Sequence, residues 1–152
     1  MFFINHAKDN ALLQELIREG VFNSALWESL SLPPEGYLMD ALLANRSKIP
    51  ERAWIDWLIR KHQCTRIPAL EPTPAFIKAV NRQILADCLK TDCYPLLAGE
   101  NHLYVGIGRP DCPESPGRLL NFYKKRILYN NALTLNDIYR LRELCHAALQ
   151  TM

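Results

Sequence analysis

The 152-residue sequence has little of what marks several large classes of protein. Its 18 basic and 16 acidic residues leave a formal net charge of only +2, so it lacks the basic excess of nucleic-acid-binding proteins, and no nucleic-acid partner is predicted. It contains no run of about 18 apolar residues, which excludes a transmembrane helix. The short apolar start has no basic stretch before it, which argues against a secretory signal. Hydrophobic residues make up 49%, which excludes disorder and predicts a globular protein. Since no export signal is recognised, the predicted compartment is the cytoplasm.

Metal-binding and disulfide patterns are also missing. The five cysteines are scattered without a Cys-x-x-Cys pair, and their odd number argues against a disulfide framework. Reduced thiols that pack as small buried hydrophobic groups are therefore expected. The four histidines do not cluster, and Cys145-His146 is not a nucleophile–base pair because neighbours on a helix point in different directions. No metal and no cofactor is predicted.

No catalytic motif is recognisable. The phosphate-binding pattern Gly-x-x-x-x-Gly-Lys-Ser/Thr is absent, so ATP hydrolysis is not predicted. Residues 106–109 read Gly-Ile-Gly-Arg and resemble half of a dinucleotide-binding loop, but Pro110 follows, so a strand end and a turn are favoured. The sequence therefore predicts a module without enzymatic activity.

The first half has the apolar spacing of four helices. Their predicted start and stop signals are Asp9, Gly20, Asn23, the pair Pro33-Pro34, and Pro50. Trp54 and Trp57 lie three residues apart on the fourth helix, so we expect them to anchor the helical core. These signals predict a helical subdomain over residues 1–66.

The second half, 67–152, is predicted as a subdomain with the order α-β-β-α-β-α. It begins with an extended, proline-rich connection. The predicted elements are one helix from Pro74 to near Lys90, strands at 94–98 and 103–107 that form an antiparallel hairpin, a helix around 119–123, a strand at 127–129, and a last helix with a Thr134–Asp137 capping box. The fold class is therefore α+β, in which a small mixed sheet packs with helices.

Two groups of residues carry a family resemblance. In the first half they are Leu42-Leu43, Ile49-Pro50-Glu51, Trp54 and Trp57-Leu58. In the second half they are Tyr94-Pro95-Leu96 and the stretch Leu-Tyr-Val-Gly-Ile-Gly-Arg-Pro at 103–110. Together they resemble the N-terminal domain of type II secretion and type IV pilus assembly ATPases, the general secretory pathway protein E N-terminal or MshE-type domain.

The resemblance implies a role beside an assembly motor, either as part of a larger ATPase or as a free-standing relative. Such domains dock onto membrane-anchored partners, which implies a peripheral position at the inner membrane, or sense a nucleotide second messenger. Some members bind cyclic di-GMP through two tandem helical motifs that begin with arginine. Here Ala11 and Leu38 stand at those arginine positions, so the residues that would grip the ligand are missing.

Seven residues are candidates for partner binding because of their charge or expected exposure: Trp27, Arg109, Lys124, Lys125, Arg126, Arg140 and Arg142. Each also has a structural interpretation. The basic run 124–126 suits a helix C-terminus, and the arginines of the last helix suit surface ion pairs with Asp137 or Glu143.

Three functions follow from the sequence. The first is a protein-interaction module that docks onto a component of a bacterial secretion or pilus-type system. The second is a cyclic di-GMP-binding regulatory domain. The third is a small cytoplasmic secretion chaperone or adaptor, which would form a homodimer and expose a large apolar patch.

Overall fold

The computed structural model describes residues 3–4, 7–32, 35–68 and 70–152, which divide into two compact units, 1–57 and 58–152. Among the described residues there are eight helices and a three-stranded mixed sheet packed against helices, which confirms the predicted α+β class. The sequence-based subdomain limits of 1–66 and 67–152 stay a prediction.

The first unit is mainly helical. Its helices are α1 (Ala7–Arg18), α2 (Ser24–Ser29), α3 (Leu38–Ala44) and the first part of α4 (Glu51–His62). Gly20, in the left-handed conformation with φ +77°, follows the end of α1, and the Asn23 side chain accepts a hydrogen bond from Leu26 N at the start of α2. Trp54 and Trp57 are fully buried with ring centroids 5.5 Å apart, as expected for core anchors.

Three details of this unit differ from the prediction. Asp9 lies inside the first turn of α1 and is not its cap; its Oδ2 accepts a hydrogen bond from Leu38 N at 2.9 Å and thus satisfies the start of α3. Two short strands that the sequence did not reveal, β1 (Phe3–Ile4) and β2 (Glu35–Gly36), pair in parallel. Helix α2 ends at Ser29, and Pro33-Pro34 lie outside the described residues.

The second unit contains helices and the three-stranded sheet. After the end of α4 its elements are α5 (Pro74–Lys78), α6 (Arg82–Thr91), β3 (Cys93–Ala98), β4 (His102–Ile107), α7 (Ser115–Tyr123), β5 (Ile127–Ala132) and α8 (Leu135–Gln150). The prediction of one helix from Pro74 to Lys90 is wrong. The Asn81 side chain accepts a hydrogen bond from Ile84 N at 2.8 Å and begins a second helix there.

The sheet has the order β3-β4-β5. Strands β3 and β4 form the predicted antiparallel hairpin, and β5 lies parallel to β4 after a crossover through α7. Strand β5 is longer than predicted. Helix α8 begins directly after it with the predicted capping box, in which Thr134 Oγ1 accepts from Asp137 N and Asp137 Oδ2 accepts from Thr134 N, each at 3.0 Å.

Candidate functional site

The two ends of the three-stranded sheet have opposite surroundings. At one end, which we call the closed end, both faces of the sheet are buried, the row Tyr94, Gly106 and Asn131 on one face and the row Cys93, Ile107 and Ala132 on the other. At the other end, the open end, Leu97 and Tyr104 are paired on β3 and β4, and Tyr129 lies beside Tyr104 on β5. Paired residues of neighbouring strands point to the same face, so Leu97, Tyr104 and Tyr129 form one surface.

An ion pair supports the closed end. Asp92, which ends α6 in the left-handed conformation, is 1% exposed. Arg142 donates to both of its carboxylate oxygens, from Nε at 2.8 Å and from a terminal nitrogen at 2.7 Å, and the Tyr94 hydroxyl donates to Oδ1 at 2.7 Å. Burial and then the charge of Asp92 raise the pKa of Tyr94 well above its usual value, so the phenol stays a donor.

A second arginine, Arg66, links the end of β5 to the start of α8. One terminal nitrogen of Arg66 donates to Ala132 O at 2.8 Å and to Asp137 Oδ2 at 2.7 Å. Burial acts to raise the pKa of Asp137, but the hydrogen bonds from Thr134 and Arg66 outweigh it and hold that pKa below its usual value. The carboxylate therefore stays ionised at neutral pH.

The segment before α5 is more than the predicted extended connection, because part of it pairs with the sheet. Thr65 forms a parallel bridge with Asn131, and the buried Asn131 side chain accepts a hydrogen bond from Ile67 N at 2.6 Å. This segment covers the second half of the β5 edge. The bridge does not extend to the first half of β5, which begins at Ile127.

Side chains at the open end form a surface that we call the aromatic face: Leu97, His102, Tyr104, Ile127 and Tyr129. The three side chains at its margins, Leu97, Ile127 and Tyr129, are 47%, 43% and 44% exposed. The rings of Tyr104 and Tyr129 stack with centroids 5.0 Å apart, and His102 meets Tyr104 edge-on at 5.5 Å. The aromatic face is thus contiguous and held in place by its own ring contacts.

Gly99 sets the position of the His102 ring. It accepts no side chain without a conflict, because a Cβ atom there would overlap the imidazole of His102. Gly99 N also donates to His102 O at 2.9 Å and closes the turn between β3 and β4. The imidazole therefore lies over the glycine, at the edge of the aromatic face.

Three consecutive cations, Lys124, Lys125 and Arg126, border the aromatic face, and we call them the basic corner. Lys124 ends α7 in the left-handed conformation, with φ +55°. The backbone N–H of Arg126 donates to Asn101 O at 3.2 Å, and Lys125 Nζ donates to Glu100 O at 3.2 Å. These bonds tie the basic corner to the turn that precedes His102.

The other predicted partner-binding residues lie elsewhere in the chain. Arg142 is bonded to Asp92, Arg140 to Glu71 and Asp137, and Arg109 to both oxygens of Asp111 at 2.7 and 3.0 Å. Trp27 belongs to the first unit, where its half-buried ring stacks on Phe22 with centroids 6.0 Å apart. Of the seven candidates, the structure brings together Lys124, Lys125 and Arg126.

The aromatic face itself was not predicted. Its signal is present in β4, where His102 and Tyr104 alternate with the buried Leu103 and Val105, as in a strand with one solvated face. The sequence cannot reveal that β5 brings Tyr129 beside Tyr104, because parallel pairing joins segments that are distant in sequence.

None of the five cysteines is in a disulfide, and four of them are buried. Burial raises the pKa of Cys64 to about 11, and burial followed by the charge of Asp92 raises that of Cys145 to about 12. Across residues 3–4, 7–32, 35–68 and 70–152, no group of three His, Cys, Asp or Glu side chains is placed to hold a metal ion. His6 lies outside these ranges.

A small cavity lies between α6 and α7. It is lined by Ile84, Asp87, Cys88, Thr91, Cys93, Ser115, Arg118 and Leu119. The buried Ser115 hydroxyl has no hydrogen-bond partner within the described part of the chain, so a water molecule fits this cavity better than a larger ligand. Separately, none of the described helices is both long and apolar enough to cross a membrane.

Comparison with known proteins gives similarity to solved structures. No protein-family model and no curated protein matches the chain. A solved structure described as "Structure of MshE with cdg" is similar, with a TM-score of 0.47 and 14% sequence identity. The similarity covers 86% of this chain and 94% of the other.

Proposed function

We propose that this chain is a non-enzymatic interaction module of a bacterial secretion or pilus-type system, which docks onto another assembly component through its aromatic face. The single observation that carries the docking role is the row of Leu97, Tyr104 and Tyr129 across three strands, in which Leu97 and Tyr129 are exposed and Tyr104 is half-buried. Single exposed apolar side chains are common on protein surfaces, but contiguous ones mark interaction sites.

The chemistry of the row suits a protein contact. Tyrosine is among the residues that contribute most to binding energy at interfaces, and a central aromatic cluster surrounded by polar groups is typical of them. The stack of Tyr104 on Tyr129 also restricts both rings before a partner arrives. Less side-chain freedom is then lost on binding, which favours affinity.

The assembly context is supported by the sequence resemblance to secretion and pilus ATPase N-terminal domains. Within that context the partner is a protein component of the same system, and the chain acts in the cytoplasm, peripheral to the inner membrane. Its role is regulatory or docking, without chemistry of its own.

A binding assay tests the proposal. Purified cytoplasmic regions of the system's inner-membrane components are passed over the immobilised chain, and at least one should bind with a micromolar Kd. The variant Leu97→Ser/Tyr129→Ser should bind roughly tenfold more weakly or worse, because it removes exposed apolar contacts equivalent to about 1.4 kcal/mol or more. Tyr37→Ser is the matched control, since Tyr37 is an exposed tyrosine of the first unit.

Two results contradict the proposal. If no component binds at micromolar concentration, the chain is not a docking module of that secretion or pilus-type system. If the wild type and the Leu97→Ser/Tyr129→Ser variant bind a component equally well, the aromatic face is not the docking surface.

Cyclic di-GMP is the alternative ligand. At the positions where the resembling motifs carry arginine, Ala11 offers no cation and Leu38 is fully buried in the first unit. We therefore expect no heat of binding in calorimetry with cyclic di-GMP through these helices. A clear saturable signal would favour the regulatory alternative.

The chaperone or adaptor alternative also uses an exposed apolar surface. It differs in requiring a homodimer, so size-exclusion chromatography separates it from the docking proposal. A monomer over a wide concentration range weakens the adaptor alternative.

A further inference from the structure

We infer that the partner segment that covers the aromatic face is an acidic stretch of protein, with apolar side chains on the tyrosine row and carboxylates against the basic corner. This inference rests on the proposed docking function and specifies the chemistry of the partner. It uses a feature that docking alone does not require, namely the position of three cations beside the exposed rings.

The basic corner is fixed at the open end of the sheet. The backbone N–H groups of Arg126 and Ile127 both donate to Asn101 O, at 3.2 and 3.1 Å. Because Ile127 is the first residue of β5 and lies beside His102, the cations adjoin the outermost row of the aromatic face. A ligand seated on Tyr129 therefore has positive charge within reach on one side.

The local charge balance is positive. Lys124 and Arg126 are exposed and Lys125 is half-buried, whereas the adjoining turn contributes one carboxylate, that of Glu100. Lys125 already contacts this turn through the backbone oxygen of Glu100, so its charge is not neutralised by that bond. An interface rim of this sign complements an acidic partner and speeds encounter at low salt.

The aromatic face favours protein over nucleic acid. Two of its five residues, Leu97 and Ile127, are aliphatic and offer no ring on which a base could stack. Tyr104 and Tyr129 are stacked on each other, so the ring faces between them are already in contact. The chain as a whole carries a net charge of only +2, which gives a second copy of itself little acidic character.

The cations have a structural interpretation that the test must separate. Lysine and arginine next to an edge strand discourage unwanted strand pairing, and β5 is an edge strand of the sheet. If that were their whole role, Lys125→Glu/Arg126→Glu would keep the edge protected, because glutamate also discourages strand pairing, and would leave partner binding unchanged.

The experiment selects the partner chemistry directly. A phage library of random peptides is selected on the immobilised full-length chain at low salt, and the enriched peptides are synthesised with a fluorescent label. We expect them to combine Asp or Glu with Leu, Ile or Phe, and to bind more weakly as salt rises. Binding is then measured by fluorescence anisotropy.

Matched variants assign the contacts. Lys125→Glu/Arg126→Glu should weaken binding roughly tenfold or more, as should Leu97→Ser/Tyr129→Ser. Lys48→Glu/Lys78→Glu makes the same change in net charge at exposed lysines elsewhere and should bind like the wild type. A peptide with its acidic residues changed to lysine should bind the Lys125→Glu/Arg126→Glu variant better than it binds the wild type.

Several outcomes overturn the inference. Enriched peptides without acidic residues, or binding that is insensitive to Lys125→Glu/Arg126→Glu, exclude a role for the basic corner. Tighter binding of a single-stranded oligonucleotide than of any peptide identifies a nucleic-acid ligand. A dimer that is lost in Leu97→Ser/Tyr129→Ser identifies a second copy of the chain.

Failure of the acidic-partner inference can be distinguished from failure of the proposed function. If acidic peptides bind as expected but no secretion or pilus component does, the partner chemistry stands and the assembly context fails. If a component binds the wild type and Lys125→Glu/Arg126→Glu equally, docking stands and the inference is wrong.

Discussion

The closed and open ends of the sheet are built from the same three strands, yet they differ in what their side chains do. At the closed end, buried apolar residues are flanked by Asp92 with Arg142 and by Arg66 with Asp137. At the open end, the side chains contact mainly one another, and their outer surfaces reach solvent. Along the same strands, the side chains at the closed end therefore stabilise the fold, whereas those at the open end are accessible to a partner.

This difference separates charged residues that look alike in sequence. Arg142 is engaged by a buried carboxylate, so its charge stabilises the fold. Arg126 is exposed beside the aromatic face, so its charge acts on the solvent side. A positive residue in this chain therefore indicates a binding surface only when its neighbours in space leave it available.

Removing Arg142, the partner of Asp92 at the closed end, should have the largest effect on stability. Arg142→Met leaves the buried Asp92 carboxylate without its two hydrogen bonds from arginine, and we expect a loss of about 3–5 kcal/mol in the free energy of unfolding. Urea denaturation followed by circular dichroism measures it.

The double variant Asp92→Asn/Arg142→Met serves as the control. Asparagine tolerates the left-handed conformation of residue 92, whose φ is +49°, and removes the uncompensated charge. It should recover part of the lost stability. A loss below about 1 kcal/mol for Arg142→Met would mean that this pair contributes no more than an ordinary surface ion pair.

The same contrast explains what the sequence could predict. Signals confined to a few residues were read correctly: Asn23, Thr134 with Asp137, and the hairpin of β3 and β4. The N-cap at Asn81 was missed because the apolar stripe continues through it and hides the break. Local rules therefore predict elements well where one signal dominates.

The contacts that create the two ends were beyond such rules. Arg142 and Asp92 are 50 residues apart, and Arg66 and Asp137 are 71 residues apart. Which carboxylate an arginine meets depends on the packing of whole elements. The aromatic face was missed for the same reason, since Tyr104 and Tyr129 come from strands joined by a crossover.

A pH-dependent effect of intermediate size should come from Asp137. Its pKa is lowered in the folded protein, so its ionised form contributes stability above the unfolded pKa of about 3.9, and that contribution is lost as pH falls through the folded value. At neutral pH, Asp137→Asn should lower the free energy of unfolding by about 1–3 kcal/mol, because the charged bond to Arg66 is removed.

Urea denaturation of both proteins across acidic pH provides the measurement. The difference between wild type and Asp137→Asn should stay constant from neutral pH to about pH 5 and shrink below about pH 4, because protonation makes the two side chains alike. Taking the difference cancels the titration of the other carboxyl groups. A difference that grows as pH falls would show that the sign of the shift is wrong.

The smallest effect on stability should come from a substitution of Tyr129 at the open end. Asn131 provides a matched comparison, because it lies two residues further along β5 on the same face of the sheet. Asn131→Ala leaves the N–H of Ile67 without its acceptor and should cost about 1–3 kcal/mol. Tyr129→Ser removes an exposed ring and one stacking contact, which should cost at most about 1 kcal/mol. Parallel thermal and urea denaturation compares the two. Equal losses would mean that the aromatic face stabilises the sheet as much as the closed end does, and its exposed side chains would then need no partner to explain them.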